Sequence, residues 1–465
     1  MPVSAPTLTA ETPATMRGEL RALFTLALPL VGANLLQMLV YSIDVVFIAR
    51  LGQGALAAST LAVYLFGLLM WGLGGLVSAA APLIAAELGR RRHAVREVRR
   101  SVRMGLWISI LLGLGGMAIC WNGEPLMLLA GQSADVSARA GAFLDILAWA
   151  MIPAIIANLL RVFVSALGRA SYATWITLFA LGVNTLGNWL LVFGNMGAPA
   201  LGLEGSAIAS VTTSMMTLGV YAVVIGFDRR LRRYRILGNW WRAEWTRFGD
   251  IWRIGLPIAL TVLAEAGLFS AAGVLMGWVG EAPLAAHAIA LQIASLAFMV
   301  PYGISQAATI RVGMAFGARD AAWIALAGRS AFLLGVGFMA TTALAIWLFP
   351  RLFLSAYIDV DAPQNAAMVG FALQFLVVAA AFQLFDGAQV VMAGALRGLQ
   401  DTRLPMVIAI FGYWVPGFGV AWWLGFRTAL GGLGIWFGLA TGLIVVSILL
   451  LTRWRMRARL GLLPA

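Results

Sequence analysis

The stretch Gln383–Pro405, QLFDGAQVVMAGALRGLQDTRLP, decides how the chain is read. It begins inside an apolar helix, carries a lone acid at Asp386, and leaves through small residues into a turn bearing Arg397, Asp401 and Arg403. A carboxylate inside a hydrophobic span costs about 2.5–3.5 kcal/mol on the insertion scale, so such a residue faces a partner or a wet cavity. The rest of the sequence has to say what the acid serves.

Working outward from it, the whole chain is of the same kind. Hydrophobic residues make up 62% and charged residues 11% of the 465 positions, too little polar surface for a soluble chain of this length. A helix needs about 20 apolar residues to cross a bilayer. Twelve such runs are present, over 24–48, 57–85, 102–121, 140–166, 171–194, 204–226, 252–279, 284–310, 328–349, 366–395, 404–425 and 432–452. The expected class is an all-α integral membrane protein with twelve transmembrane helices. The net charge of +13 needs no nucleic acid to explain it: all 32 basic residues are Arg, and they fall almost wholly in alternate loops.

Those loops set the expected orientation. One set holds Arg90, Arg91, Arg92, Arg96, Arg99, Arg100 and Arg103, then Arg169, the segment 227–250, Arg311 and Arg319, and Arg397 and Arg403. The opposite loops hold few Arg and more acids. Both termini are therefore expected in the cytoplasm. Residues 1–20 are polar, lack the apolar core of a signal peptide and read as a disordered cytoplasmic tail. Residues 21–226 form the first expected six-helix bundle and 251–465 the second. Between them, 227–250 alternates Arg with Tyr234, Trp240, Trp241 and Trp245. It reads as a basic amphipathic linker on the membrane surface, or as a connector that only satisfies the charge bias.

An internal repeat joins the halves. A shift of 228 lays Leu28-Pro29 on Leu256-Pro257, Gly52 on Gly280 and Gly75 on Gly303. A shift of 229 lays Gly202 on Gly431 and Gly205 on Gly434. A repeat of six spans is even, so the two halves run in the same sense, the parallel plan of transporters with a central site.

Four acids lie within the spans. Glu265 is near the middle of the seventh, a position that suits a residue which gains and loses a proton or exchanges it for sodium. Asp386 has Gln383 and Gln389 at i−3 and i+3 on one helical side, an oxygen-rich wall for a polar cavity or a hard cation. Asp44, close to one end of the first span, either works in the same way or pairs with Arg50. Asp145 either functions or pairs with Arg139 or Arg161. Asn184 and Asn188, four apart, line a cavity or bond between helices. His287, with Gln292 five residues on, reads as structural, and His93 as solvated. Arg161 is the main basic exception among membrane-embedded charges that are otherwise acidic.

Other classes lack their signatures. The chain has no HExxH, no GxSxG with a later His, no P-loop lysine and no Cys pair beside Cys120, which excludes ATP hydrolysis and thiol or zinc catalysis within this chain.

These residues resemble the multidrug and toxic compound extrusion (MATE) transporters, in the NorM-like branch. Phe385–Pro405 looks like that family's tenth-helix signature, and ALPLVGANLLQMLVYSIDVVFIARLG its opening helix. Ala264-Glu265 and Asn184 to Asn188 match its seventh and fifth helices. The resemblance spans essentially the whole chain. It implies two six-helix bundles and efflux of small amphipathic, often cationic organic compounds, driven by inward H⁺ or Na⁺, with no other cofactor. It implies Glu265, Asp386 and Asp44 as ion-coupling acids, with Na⁺ at Glu265 and Asp386 if sodium is the ion. Gln37, Asn184, Asn188, Gln292, Phe382, Gln383 and Gln389 would line the substrate cavity. Phe382 stands where some relatives carry a Tyr. The expected setting is a bacterial-type inner membrane, with the bilayer as partner, no nucleic acid, and a monomer. A lipid-linked oligosaccharide flippase of related fold and an integral-membrane transferase are the alternatives.

Overall fold

The computed structural model describes residues 15–91, 94–238 and 241–464. His93 and Trp240 lie outside the described residues, as do positions 1–14 of the expected tail. Among the described residues, twelve helices are long and apolar enough to cross a membrane. They are α1 Met16–Ala49, α2 Gln53–Arg90, α3 Val95–Trp121, α4 Ala134–Ala166, α5 Ser171–Phe193, α6 Gly202–Phe227, α7 Trp245–Val279, α8 Glu281–Gly317, α9 Ala321–Leu348, α10 Pro363–Gly398, α11 Arg403–Arg427 and α12 Gly432–Arg455. No strand occurs among the described residues.

The breaks in these helices have local causes. In α11 the turn Tyr413–Gly417 widens to π geometry around Pro416, which has no N–H to give the ladder. That widening sets Tyr413 fully inside the bundle. In α4 a 3-10 turn, Ala148–Ala150, precedes Pro153.

The repeat is visible in the backbone. Gly52 and Gly280, one shift apart, both take positive φ (105° and 153°) at the entry to α2 and α8. Gly202 and Gly431 do the same at α6 and α12 (57° and 53°), conformations that cost a side chain and spare glycine. Gly205 brings α6 onto α5 so closely that a β-carbon would stand 2.7 Å from the Leu191 carbonyl carbon. Its repeat partner Gly434 brings α12 onto α11, 2.5 Å from Leu424 by the same measure.

The chain forms two compact units, and each takes half a helix from the other half of the sequence. Among the described residues the first comprises 32–259, and the second comprises 15–31 and 260–464. The crossings follow Pro29 in α1 and Pro257 in α7, and they too are 228 residues apart. In the second unit the early turns of α1 are held by Glu19, which bonds Arg311 and Trp323 Nε1 (3.2 Å) with no exposure of its own. The expectation of a disordered tail through residue 20 is thus corrected from Met16 onward: a buried ion pair orders the helix. In the first unit Arg247 of α7 binds Glu87 (2.7 Å).

The segment between α6 and α7 is divided. Leu231, Tyr234 and Ile236 are buried, with Tyr234 edge-on to Phe163 at 5.8 Å. Leu237, Trp241 and Trp245 are exposed, and Glu244 ties the segment back to Arg100 and Arg103 of α3. From Trp245 the chain is already α7.

Candidate functional site

In the second unit, α7, α10 and α11 bring two acids to one amide. Gln389 Nε2 donates to Glu265 Oε1 (2.9 Å) and to Asp386 Oδ1 (3.2 Å). The Tyr413 hydroxyl donates to Gln389 Oε1 (2.8 Å), which fixes the amide with its N–H face toward the carboxyls. Asp386, Gln383 and Gln389 are buried, so the i±3 spacing on α10 does place three polar groups on one inward side. Gln383 Oε1 accepts from Thr342 of α9 (3.2 Å), and its Nε2 has no partner.

The Arg397 guanidinium acts electrostatically on Glu265 and Tyr413. Arg397, expected in the turn after α10, lies on the helix itself, because α10 runs on to Gly398. Its spacing of eleven from Asp386 is three helical turns, a signal for a shared face that was present in the sequence. Tyr413 and Thr342 had no such signal. A cation here would be ligated by the carboxylates of Glu265 and Asp386, because Gln389 shows them its N–H rather than its oxygen. Phe382 is packed in the interior, stacked on Trp436 at 5.5 Å. Gln292 is half-buried on α8, apart from this network. His287 is buried against Trp436, ring centroids 5.4 Å apart, with neither nitrogen hydrogen-bonded.

The first unit holds a second acid centre. Asp44 on α1 accepts from Asn188 Nδ2 on α5 (2.7 Å) and from Ser210 Oγ on α6 (3.2 Å). Asn188 also reaches the Asn184 carbonyl (3.0 Å), and both asparagines are fully buried. Asp44 therefore pairs with an amide and a hydroxyl rather than with Arg50. Ser210 was missed, being one hydroxyl among many in α6. Gln37 is exposed on α1. Asp145 is exposed on α4, while Arg139 bonds Asp135 (3.2 Å) and Arg161 bonds Asn34 and Asn158. Neither expected pairing of Asp145 forms.

A fold of twelve apolar helices in two repeated units, with amide-held acids inside each, defines a membrane transporter rather than an enzyme. The MatE family model matches residues 29–190 and 257–423, two stretches that begin one repeat apart. The chain belongs to this family. It is 46% identical over 446 residues to the probable multidrug resistance protein NorM of Mesorhizobium japonicum, covering 96% of this chain and 95% of that one. It is 38% identical to the multidrug resistance protein NorM of Burkholderia vietnamiensis, with 93% of each covered. Among solved structures it resembles the eukaryotic MATE transporter AtDTX14, with a TM-score of 0.84 at 20% identity over 96% of this chain and 98% of that one.

Proposed function

We propose that the chain is a multidrug exporter that moves small amphipathic, often cationic organic compounds out of a bacterium in exchange for H⁺ or Na⁺. The observation that carries this reading is the Glu265–Gln389–Asp386 arrangement. Two carboxyls around one amide within a membrane span form a site at which a small cation relieves mutual repulsion. A ligand shifts a conformational equilibrium only by its differential affinity for the two states. Ion and drug would therefore each favour a different facing of the transporter, with Asp44, Asn184 and Asn188 as a second polar pocket. The setting is the inner membrane, with both termini in the cytoplasm.

The test uses purified protein in liposomes loaded with a fluorescent cationic dye, under a sodium gradient alone and then a pH gradient alone. Wild type is expected to move dye under one of them. Glu265→Gln and Asp386→Asn are expected to abolish that movement while remaining folded and inserted. Unchanged movement in both variants would overturn the coupling assignment; no movement by wild type under either gradient would overturn the antiport.

A further inference from the structure

Arg161, near the C-terminal end of α4, is a charge within a span that the antiport does not use. Its Nη1 donates to Asn34 Oδ1 on α1 (3.3 Å) and its Nη2 to Asn158 Oδ1 (3.1 Å). Asn158 is itself fixed, donating Nδ2 to the Gly74 carbonyl of α2 (3.3 Å). Amide oxygens orient a guanidinium but cancel none of its charge, and no carboxylate pairs with Arg161 among the described residues. A guanidinium has five N–H donors, so some stay available here. Asn34 is buried, 5% exposed, and its Nδ2 has no partner. Two kinds of donor and an uncancelled positive charge therefore meet at one place.

The surroundings give this place a direction. Asn34, Gln37, Tyr41 and Asp44 follow one another on α1 at i, i+3, i+7 and i+10, within one narrow arc of the helix. At a rise of 1.5 Å per residue the stripe is about 15 Å long. Arg161 stands at its start and Asp44 at its end, and both charges act on the Tyr41 hydroxyl between them. A polar stripe of this kind in a membrane protein faces a pathway rather than lipid. Its two poles are of opposite sign.

We infer that Arg161, with Asn34 and Asn158, is an anion-binding site in the first unit that takes the carboxylate of amphipathic compounds bearing both an acid and an amine. The amine end lies toward Asp44. This rests on the export reading for the class of compound, and assigns to Arg161 the choice between compounds with and without an acid.

A matched pair of dyes tests it: tetramethylrhodamine, whose carboxylate is free, and its methyl ester, which is only cationic. Equilibrium binding of each is read by fluorescence anisotropy with the full chain in phosphatidylcholine nanodiscs, with no gradient imposed. Arg161→Gln is expected to weaken the acid about tenfold or more and the ester less than about twofold, as loss of a charge-assisted hydrogen bond implies. Asn34→Asp, which leaves Arg161 in place and supplies it with a counter-charge, is expected to do the same. Arg161→Lys is expected to restore most of the acid's affinity. Equal loss of both dyes, no loss of either, or wild type that fails to hold the acid would each overturn the site. So would weakening of the acid by added phosphatidylglycerol in wild type but not in Arg161→Gln, which would give the site to a lipid headgroup. Binding is read apart from movement, so wild type that shows this pattern yet transports neither dye would count against the export reading and leave the anion site standing.

Discussion

A single carboxyl, Asp228, shows how the chain ends a membrane span and starts a connector. It accepts from the N–H groups of Arg230 (2.8 Å) and Leu231 (3.2 Å) and from the Tyr172 hydroxyl (2.8 Å), with Arg169 Nη2 at 3.6 Å. Burial works against its charge, but these donors outweigh it and hold the carboxyl below its ordinary value. A depressed carboxyl contributes stability fully above its unfolded value, about 3.9, and loses that contribution as pH falls through the lower folded one. Asp228→Asn keeps a capping oxygen but removes the charge facing Arg169, and is expected to cost up to about 1 kcal/mol at neutral pH and less at pH 3, where the advantage of the charged form is already shrinking. Thermal unfolding in detergent at both values checks this, and an equal cost at both would sink it. At this scale the sequence was legible where helical spacing carried the message, as with Gln383, Asp386 and Gln389. It was opaque where a neighbouring helix supplied the partner. Tyr413 reaches Gln389 only because Pro416 widens α11, a displacement that no periodicity records.

Between elements, small residues decide how closely helices approach. On α10 a β-carbon at Gly394 would stand 2.5 Å from the Ser305 carbonyl oxygen of α8, and one at Gly398 2.7 Å from Val312 Cβ. The approach lets Ser305 Oγ donate to the Val390 carbonyl (2.7 Å) and Thr309 Oγ1 to that of Gly394 (2.9 Å). Gly394→Val is expected to destabilise by roughly 1–3 kcal/mol or more, because overpacking forces these backbones apart. Gly337 on α9 has open space around it, and Gly337→Ala is expected to be neutral or mildly stabilising. Comparing the two by thermal unfolding in detergent separates close packing from helix propensity; equal effects would refute the packing argument. Span number was plain from hydropathy. Span ends were less so: α1 starts at Met16, ahead of its apolar run, because Glu19 is neutralised by a residue almost three hundred positions away.

Across the whole molecule, that pair anchors the borrowed half of α1. Glu19 is unexposed, and Arg311 is 1% exposed and lies over the Trp323 ring at 5.0 Å. Glu19→Gln would leave Arg311 as an uncompensated buried charge, at an expected cost of about 3–5 kcal/mol. Thermal unfolding of the variant, with Asp135→Asn as an exposed-pair control, measures it; a loss no larger than the control's would deny the pair its role. The repeat itself was legible in the sequence, through the paired prolines and glycines. The division of α1 and α7 between units was not, since a proline marks a bend but does not say which neighbours lie on either side.

The shared helices also bear on how the protein is made. Residues 16–31 leave the ribosome well before the helices they complete, which are encoded more than two hundred positions later. At about 5–20 residues per second, the wait is of the order of ten seconds or more. The first unit likewise stays unfinished until α7 has been synthesised through residue 259. A nascent chain stopped after six spans would therefore hold one segment with no home and one vacancy with no occupant. Synthesis of either half of the gene alone would yield an incomplete product, and only the two halves made together could supply each other's missing turn.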